Sequence, residues 1–160
     1  MKRLYSCTDI EVPNVEVPYI IKEEKPSFVR AYKSQHLSAK KLMENIYWWL
    51  ISKGKYSVWC AYDMGTVIHT SYVIPKCFKF PFLNDSDYEV GPCNTDKQYR
   101  GKGIYPAVLT KIIQSSETYY MIIDDMNIPS IRGASKAGFK ALPGKIRTNC
   151  LKRYIYLREG

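Results

Sequence analysis

From residue 88 to residue 139 the chain reads as strand, helix, strand, helix, strand, and few architectures accept that order. YEVGPCNT (88–95) is a short β-like run. A helical pattern follows from about Ile104 to Ser115, with Ile104, Val108 and Ile112 as its apolar stripe and Leu109 beside it. YYMII (119–123) is continuously apolar, which predicts a strand buried on both faces. Asn127 stands where it would cap a second helix, with Pro129 in the first turn and Gly138 as the stop. Helices inserted between strands must pack on the sheet those strands form, so the pattern predicts a mixed α/β (α+β) layer fold with a central sheet.

The rest of the chain fits around that core. Residues 38 to 53 predict a helix capped by Ser38, with Leu42, Ile46, Trp49 and Leu50 on one face and Gly54 as its stop. SVWCAY (57–62) and TVIHTSYVI (66–74) predict two strands joined by a turn at Asp63-Met64-Gly65, with Ile68, Tyr72 and Ile74 sharing a face. Pro75 to Ser86 reads as a loop whose Phe78, Phe80 and Phe82 pack onto the body. Two further strands are expected at 139–142 and 150–157. In residues 1 to 35, Pro13, Pro18 and Pro26 exclude a long helix and predict an extended arm or short strands. With 160 residues and no dividing linker, one domain over 1–160 is expected.

Composition narrows the classes. No apolar run approaches the ~20 residues that cross a bilayer, and MKRLYSCTDIEV lacks the apolar stretch of a secretory signal. A cytoplasmic location is expected. The 5 cysteines include no C-x-x-C pair and fit free thiols in a reducing compartment. His36 and His69 stand apart from other ligand candidates, so no metal site is expected. Asp124 and Asp125 are read as residues of a strand-to-helix loop rather than a metal pair. The net charge of +9 permits an anionic partner. The Lys and Arg residues are scattered, whereas a nucleic-acid module concentrates them on one element.

The sharpest local feature is Gln98-Tyr99-Arg100-Gly101-Lys102-Gly103, set between a strand and a helix. The first N–H groups of that helix have no intrahelical partner. Gly101 and Gly103 let backbone approach a ligand, the helix dipole adds positive potential, and Arg100 and Lys102 add full charges. The stretch reads as an anion site suited to phosphate. It is neither a GxxxxGK[ST] loop nor GxGxxG, because Pro106 stands at the third glycine. The competing reading is a turn that only connects two elements.

Gln98 to Gly103 resembles the [QR]-x-x-G-x-[GA] signature of the GCN5-related N-acetyltransferases, the GNAT superfamily. NIPSIRGASKAGFK resembles that family's second signature, through Asn127, Ser130, Lys136, Gly138 and Phe139. The resemblance covers about residues 57 to 157. It implies a GNAT-like sheet whose strands at 88–95 and 119–123 lie parallel and splay to admit acetyl-CoA. It also implies a pyrophosphate held by Gln98, Tyr99, Arg100, Gly101, Lys102, Gly103 and Ile104. Backbone near Cys93 and Thr95 would bond the pantetheine arm, and Asn127 and Ser130 would line its other side.

The implied reaction is acetyl transfer to the primary amine of a small molecule, with an amino sugar or sugar nucleotide as acceptor. A basic nucleic-acid-binding protein, or an inactive CoA-binding member of the same fold, is the rival. Glu89 is the expected general base, with Asp87 on the same strand face as the alternative. A salt-bridged or solvent-facing role competes for Glu89. Many members carry a tyrosine general acid where this chain has Ala134, so either Tyr105 or Ser135 is the donor or the thiolate leaves without a dedicated acid; for Tyr105 the competing reading is packing against the 75–86 loop. Cys93 allows a covalent route, though a buried strand cysteine is the commoner case. The acceptor would be set by the 75–86 loop and the N-terminal region, and a homodimer is compatible with the sequence.

Overall fold

The computed structural model of the chain describes residues 1–8, 15–114 and 117–158. Pro13 and the expected helix end at Ser115 lie outside them. In chain order the elements are β1 (Lys2–Cys7), β2 (Ile20–Glu24), α1 (Ala39–Ile51), β3 (Ser57–Asp63), β4 (Thr66–Pro75) and β5 (Tyr88–Thr95). A 3-10 turn (Lys97–Tyr99), α2 (Ile104–Ile112), β6 (Tyr119–Asp124), α3 (Ile128–Lys136), β7 (Lys140–Ala141), β8 (Lys145–Thr148) and β9 (Tyr154–Leu157) complete the chain. The strands form one mixed sheet in the order β2-β3-β4-β5-β6-β1-β8-β9, with β7 beside β1.

Local chemistry explains most boundaries. Ser38 caps α1 by accepting from the Lys41 N–H at 3.3 Å. Asn127 caps α3 by accepting from Ser130 N–H, also at 3.3 Å. Met64 and Gly65 take φ of 46° and 83° between β3 and β4, the left-handed pair that a two-residue hairpin loop requires. The sheet then separates two apolar layers. Val73, Val90, Ile104, Val108, Met121 and Ala134 pack under α2 and α3. Ile74, Trp48, Tyr56 and Phe80 pack on the other face, under α1 and the loop after β4.

Several expectations are corrected. The buried side of α1 carries Asn45 and Trp48, while Leu50 is exposed. A buried amide network turns the helix: Asn45 Nδ2 donates to Gln35 Oε1 at 3.2 Å, and the Tyr56 hydroxyl donates to Asn45 Oδ1 at 3.3 Å. Ile68 does not share a face with Tyr72 and Ile74; it packs under α2 with Val73. Ala61 pairs with His69 and Tyr62 with Val67, so Ile68 is the extra residue of a bulge, and a bulge re-aims the side chains that follow it. Phe80 is buried, but Phe78 is exposed beneath the Arg153 guanidinium, 4.7 Å from its ring centre. The end of the chain holds three short strands where two were expected.

The N-terminal segment has the largest consequence. β1 inserts between β6 and β8, antiparallel to both, with Lys2 opposite Asp124 and Cys7 opposite Tyr119. Its alternation puts Tyr5 and Cys7 under α2 and α3, and therefore Lys2 on the α1 face.

Candidate functional site

β5 and β6 are parallel neighbours only at Tyr88–Tyr119 and Glu89–Tyr120. Beyond that point, among the described residues, their ladder stops. The cause lies in β5. Val90 pairs with Val73 and Cys93 with Ser71, so Gly91 and Pro92 stand opposite Tyr72 alone. The extra residue makes a bulge, and Pro92 brings no N–H to a ladder. A cavity of about 370 Å³ opens in the gap. It passes between the two faces of the sheet: Tyr105, Asn127 and Ser130 line it on the α2 and α3 side, and Trp48, Phe80 and Tyr154 on the α1 side.

Glu89 occupies the point where the strands part. Its neighbour across β4 is Ile74, so its side chain faces the α1 layer. Gly91 gives the carboxylate room, since a Cβ there would stand 3.0 Å from Glu89 Oε1. Oε2 is buried without a hydrogen-bond partner. Burial pushes the carboxyl well above the usual carboxylate range, and Lys79 opposes that shift. Asp87 has a different role: its Oδ2 accepts from Asn84 N–H at 2.8 Å and closes the preceding loop.

Tyr105 belongs to the first turn of α2 and reaches into the same cavity. It does not pack against the 75–86 loop. Its ring lies against Gly133 of α3, and its hydroxyl approaches Met121 Sδ at 3.7 Å. Desolvation by burial raises the phenol strongly, so it holds its proton at neutral pH. Ala134 is fully buried, while Ser135 is exposed and outside the cavity lining.

Cys93 lines the cavity with its thiol already engaged. Ser71 Oγ donates to Cys93 Sγ at 3.1 Å, so the 2.8 Å contact between Ser71 Oγ and His69 Nε2 requires the ring nitrogen to donate. His69 Nδ1 then accepts from Thr95 Oγ1 at 2.7 Å. Burial lowers His69 to about 4, which keeps the ring neutral and agrees with that tautomer. It also raises the Cys93 thiol to about 12. A thiol so far from ionisation is a poor nucleophile. Thr95 is thus tied into this buried relay by its side chain, and its carbonyl accepts from Arg100 Nε at 3.0 Å. Nothing in the sequence pattern singled out the His69–Ser71 pair.

The glycine turn lies beyond the cavity, at the head of α2. Gly101 and Gly103 take φ of 79° and 76°, the left-handed region that glycine enters without steric cost. A Cβ on Gly101 would meet nothing within 4 Å, so the turn presents bare backbone to open space. Tyr99 anchors it through a 2.8 Å bond from its hydroxyl to Asp63 Oδ2. Lys102 lies over the Tyr99 ring at 4.7 Å, while Gln98 is exposed. Asn127 and Ser130 project from the head of α3 toward the cleft. Asp125 pairs with Arg3 at 3.0 Å, and Asp124 Oδ1 accepts from Met126 N–H at 3.0 Å.

This splayed mixed sheet flanked by three helices is the fold of the GCN5-related N-acetyltransferases. Among solved structures, the chain superposes on a GNAT-family acetyltransferase from Colwellia psychrerythraea with a TM-score of 0.62 at 13% identity, covering 88% of this chain and 52% of that one. A GCN5-related N-acetyltransferase from Sphaerobacter thermophilus gives 0.58 at 13% identity, over 88% and 48%. A GCN5-related N-acetyltransferase-like protein from Streptococcus suis gives 0.52 at 12% identity, over 88% and 57%. The chain spans about half the length of these structures. No protein-family model matches the sequence, and no curated protein does. No helix among the described residues is long and apolar enough to cross a membrane.

Proposed function

We propose that the chain is a CoA-dependent acyltransferase that moves acetyl from acetyl-CoA to a primary amine of a small molecule. The observation that carries this reading is the cleft through the sheet, with the unpartnered Glu89 Oε2 buried at its centre. A buried carboxylate oxygen without a partner is costly, and it is retained where a ligand supplies the missing hydrogen bond.

Acetyl-CoA supplies an activated acyl carbon as a thioester. The residues of the chain do the rest. Backbone amides of Gly101, Lys102, Gly103 and Ile104 hold the pyrophosphate at the head of α2, with Gln98, Tyr99 and Arg100 beside it; the Tyr99 and Arg100 N–H groups already donate to the Asp96 and Lys97 carbonyls. The free backbone of β5 near Cys93, ahead of Thr95, bonds the pantetheine arm; Asn127 and Ser130 border it across the cleft. Glu89 takes a proton from the acceptor ammonium, and its raised proton affinity suits it to that role near neutral pH. As the C–N bond forms and the C–S bond breaks, the Tyr105 hydroxyl gives its proton to the departing sulfur. The second amine proton, released as the amide forms, restores that balance. The acceptor is an amino sugar or sugar nucleotide, and the anionic nucleotide of the latter suits the basic surface.

Thermal unfolding with acetyl-CoA tests the reading first, since a ligand that binds only the folded state raises Tm. A rise is expected for the native chain. Gly101→Glu should abolish it, by filling the open space at the turn and repelling phosphate. Gly101→Ala, which shares the backbone strain without the charge or bulk, should retain part of it. Free-thiol release with a panel of amines then reads transfer. No stabilisation by millimolar acetyl-CoA, together with tight, salt-sensitive polynucleotide binding, would overturn the proposal.

A further inference from the structure

On the α1 side of the cleft two lysines flank one ring. Lys79, from the loop after β4, has its Nζ 5.6 Å from the Tyr154 ring centre. Lys2, delivered by the inserted strand β1, has its Nζ 5.2 Å from the same centre. Lys79 also lies over Trp48 at 4.5 Å and near Tyr47 at 5.7 Å. Tyr154 is held in place by stacking on Phe80, with ring centres 5.5 Å apart and planes 3° from parallel. Both lysines line the cavity that contains Glu89.

We propose that Lys2 and Lys79 form an anion clamp that binds a carboxylate or phosphate group carried by the acceptor, while its amine is presented to Glu89. This rests on the acetyl-transfer reading and names the substrate class: an amine that also bears an anionic group.

Two like charges beside one ring repel each other; Lys2 is exposed, whereas burial strips hydration from the half-buried Lys79. Among the described residues neither lysine has a carboxylate within ion-pair distance; the salt bridges lie elsewhere. Glu44 and Asp124 stand on the cavity wall, but neither closes on these nitrogens. The rings return only part of the lost hydration. An anion seated between the two ammonium groups relieves both the repulsion and the desolvation. Burial pulls Lys79 below the ordinary lysine range; Glu89, Cys77 and Glu44 oppose that shift, and the field of Lys2, smaller than those of Glu89 and Cys77, adds to it. Glu89 stands on the same side of the sheet, so the cleft offers a proton acceptor and a cationic pair to one small molecule.

Matched acceptors test the clamp. α-Amino acids against their carboxamides probe the carboxylate, and glucosamine 6-phosphate against glucosamine probes the phosphate. Each is scored for thiol release from acetyl-CoA and for thermal stabilisation of the protein. In at least one pair the charged member should exceed its neutral partner by roughly tenfold or more in kcat/KM, the scale of one charge-assisted hydrogen bond. Lys79→Met and Lys2→Met keep the apolar stem and should bring the ratio toward one; Lys140→Met, outside the cavity, should not. Salt should weaken the preference. Neutral members used as well as charged ones, or a preference that survives the double variant, would overturn the clamp. If acetyl-CoA fails to bind, the transfer reading falls. The clamp is then still decided by whether the charged members stabilise the native protein more than their neutral partners and more than they stabilise the double variant. Should either variant fail to fold, the ratio in the native protein decides alone.

Discussion

The ring of Tyr105 lies against the bare backbone of Gly133, so close that a Cβ on the glycine would overlap its Cδ1 and Cε1. Helix α2 is thereby locked to α3 at the edge of the cleft. Alanine ordinarily strengthens a helix interior relative to glycine, so the overlap alone decides the sign here. Gly133→Ala should destabilise by about 1–3 kcal/mol, the range for overpacking a core. Tyr105→Ala in the same chain should recover part of that loss. Denaturant unfolding of the two single variants and the double variant measures the coupling; additive losses would show that the two residues do not press on each other.

Tyr105→Phe keeps this packing and removes only the hydroxyl. If the phenol protonates the leaving sulfur, kcat should fall by roughly 10²-fold or more, with stabilisation by acetyl-CoA retained. An unaltered kcat would leave Tyr105 a packing residue.

Glu89→Gln separates chemistry from stability. The amide cannot take a proton, so kcat/KM should drop by roughly 10²-fold or more. A buried carboxyl raised above its unfolded value costs the folded state stability as pH climbs past the unfolded value. The Gln variant should therefore be as stable as the native chain or more so at pH 7. In the native chain kcat/KM should rise with pH through the elevated Glu89 value, above the ordinary carboxylate range. The same rising limb in the Gln variant would exclude Glu89 as its source.

His69 imposes an acid limit on stability. Its ring is held neutral, with its proton affinity lowered from 6.5 to about 4 by burial. Between those values the unfolded chain binds a proton that the folded chain refuses, so stability is lost as pH falls through the window. The full loss is about 3 kcal/mol at 1.36 kcal/mol per unit. Glu89 acts in the opposite direction over part of this range, so the native chain is best compared with His69→Gln. The difference between their unfolding free energies should shrink from pH 7 to pH 4; a constant difference would show that the ring titrates normally.

The helices and the glycine turn were legible because local rules govern them. Ser38 and Asn127 cap as their side chains dictate, Gly101 and Gly103 adopt left-handed backbone, and YYMII forms the central strand. The bulge in β5 had a visible signal, since Gly91-Pro92 inside a strand argues for an interrupted ladder. The orientation of α1 had none: its apolar pattern points to Leu50, and only the distant partners Gln35 and Tyr56 explain why Asn45 turns inward.

By itself the sequence determined the alternation of strand and helix from β5 to α3, the caps, and the bare amides at the head of α2, because each depends on residues within one or two turns of chain. Tertiary structure alone decided that β1 would enter the sheet beside β6. Strand pairing across more than a hundred residues is set by which edge is left unpaired and which apolar face must be covered, and neither is written in a local pattern. That insertion carries Lys2 to Tyr154, and the parting of β5 from β6 opens the cavity that Glu89 lines. The wall of the cleft is therefore a property of the assembled sheet.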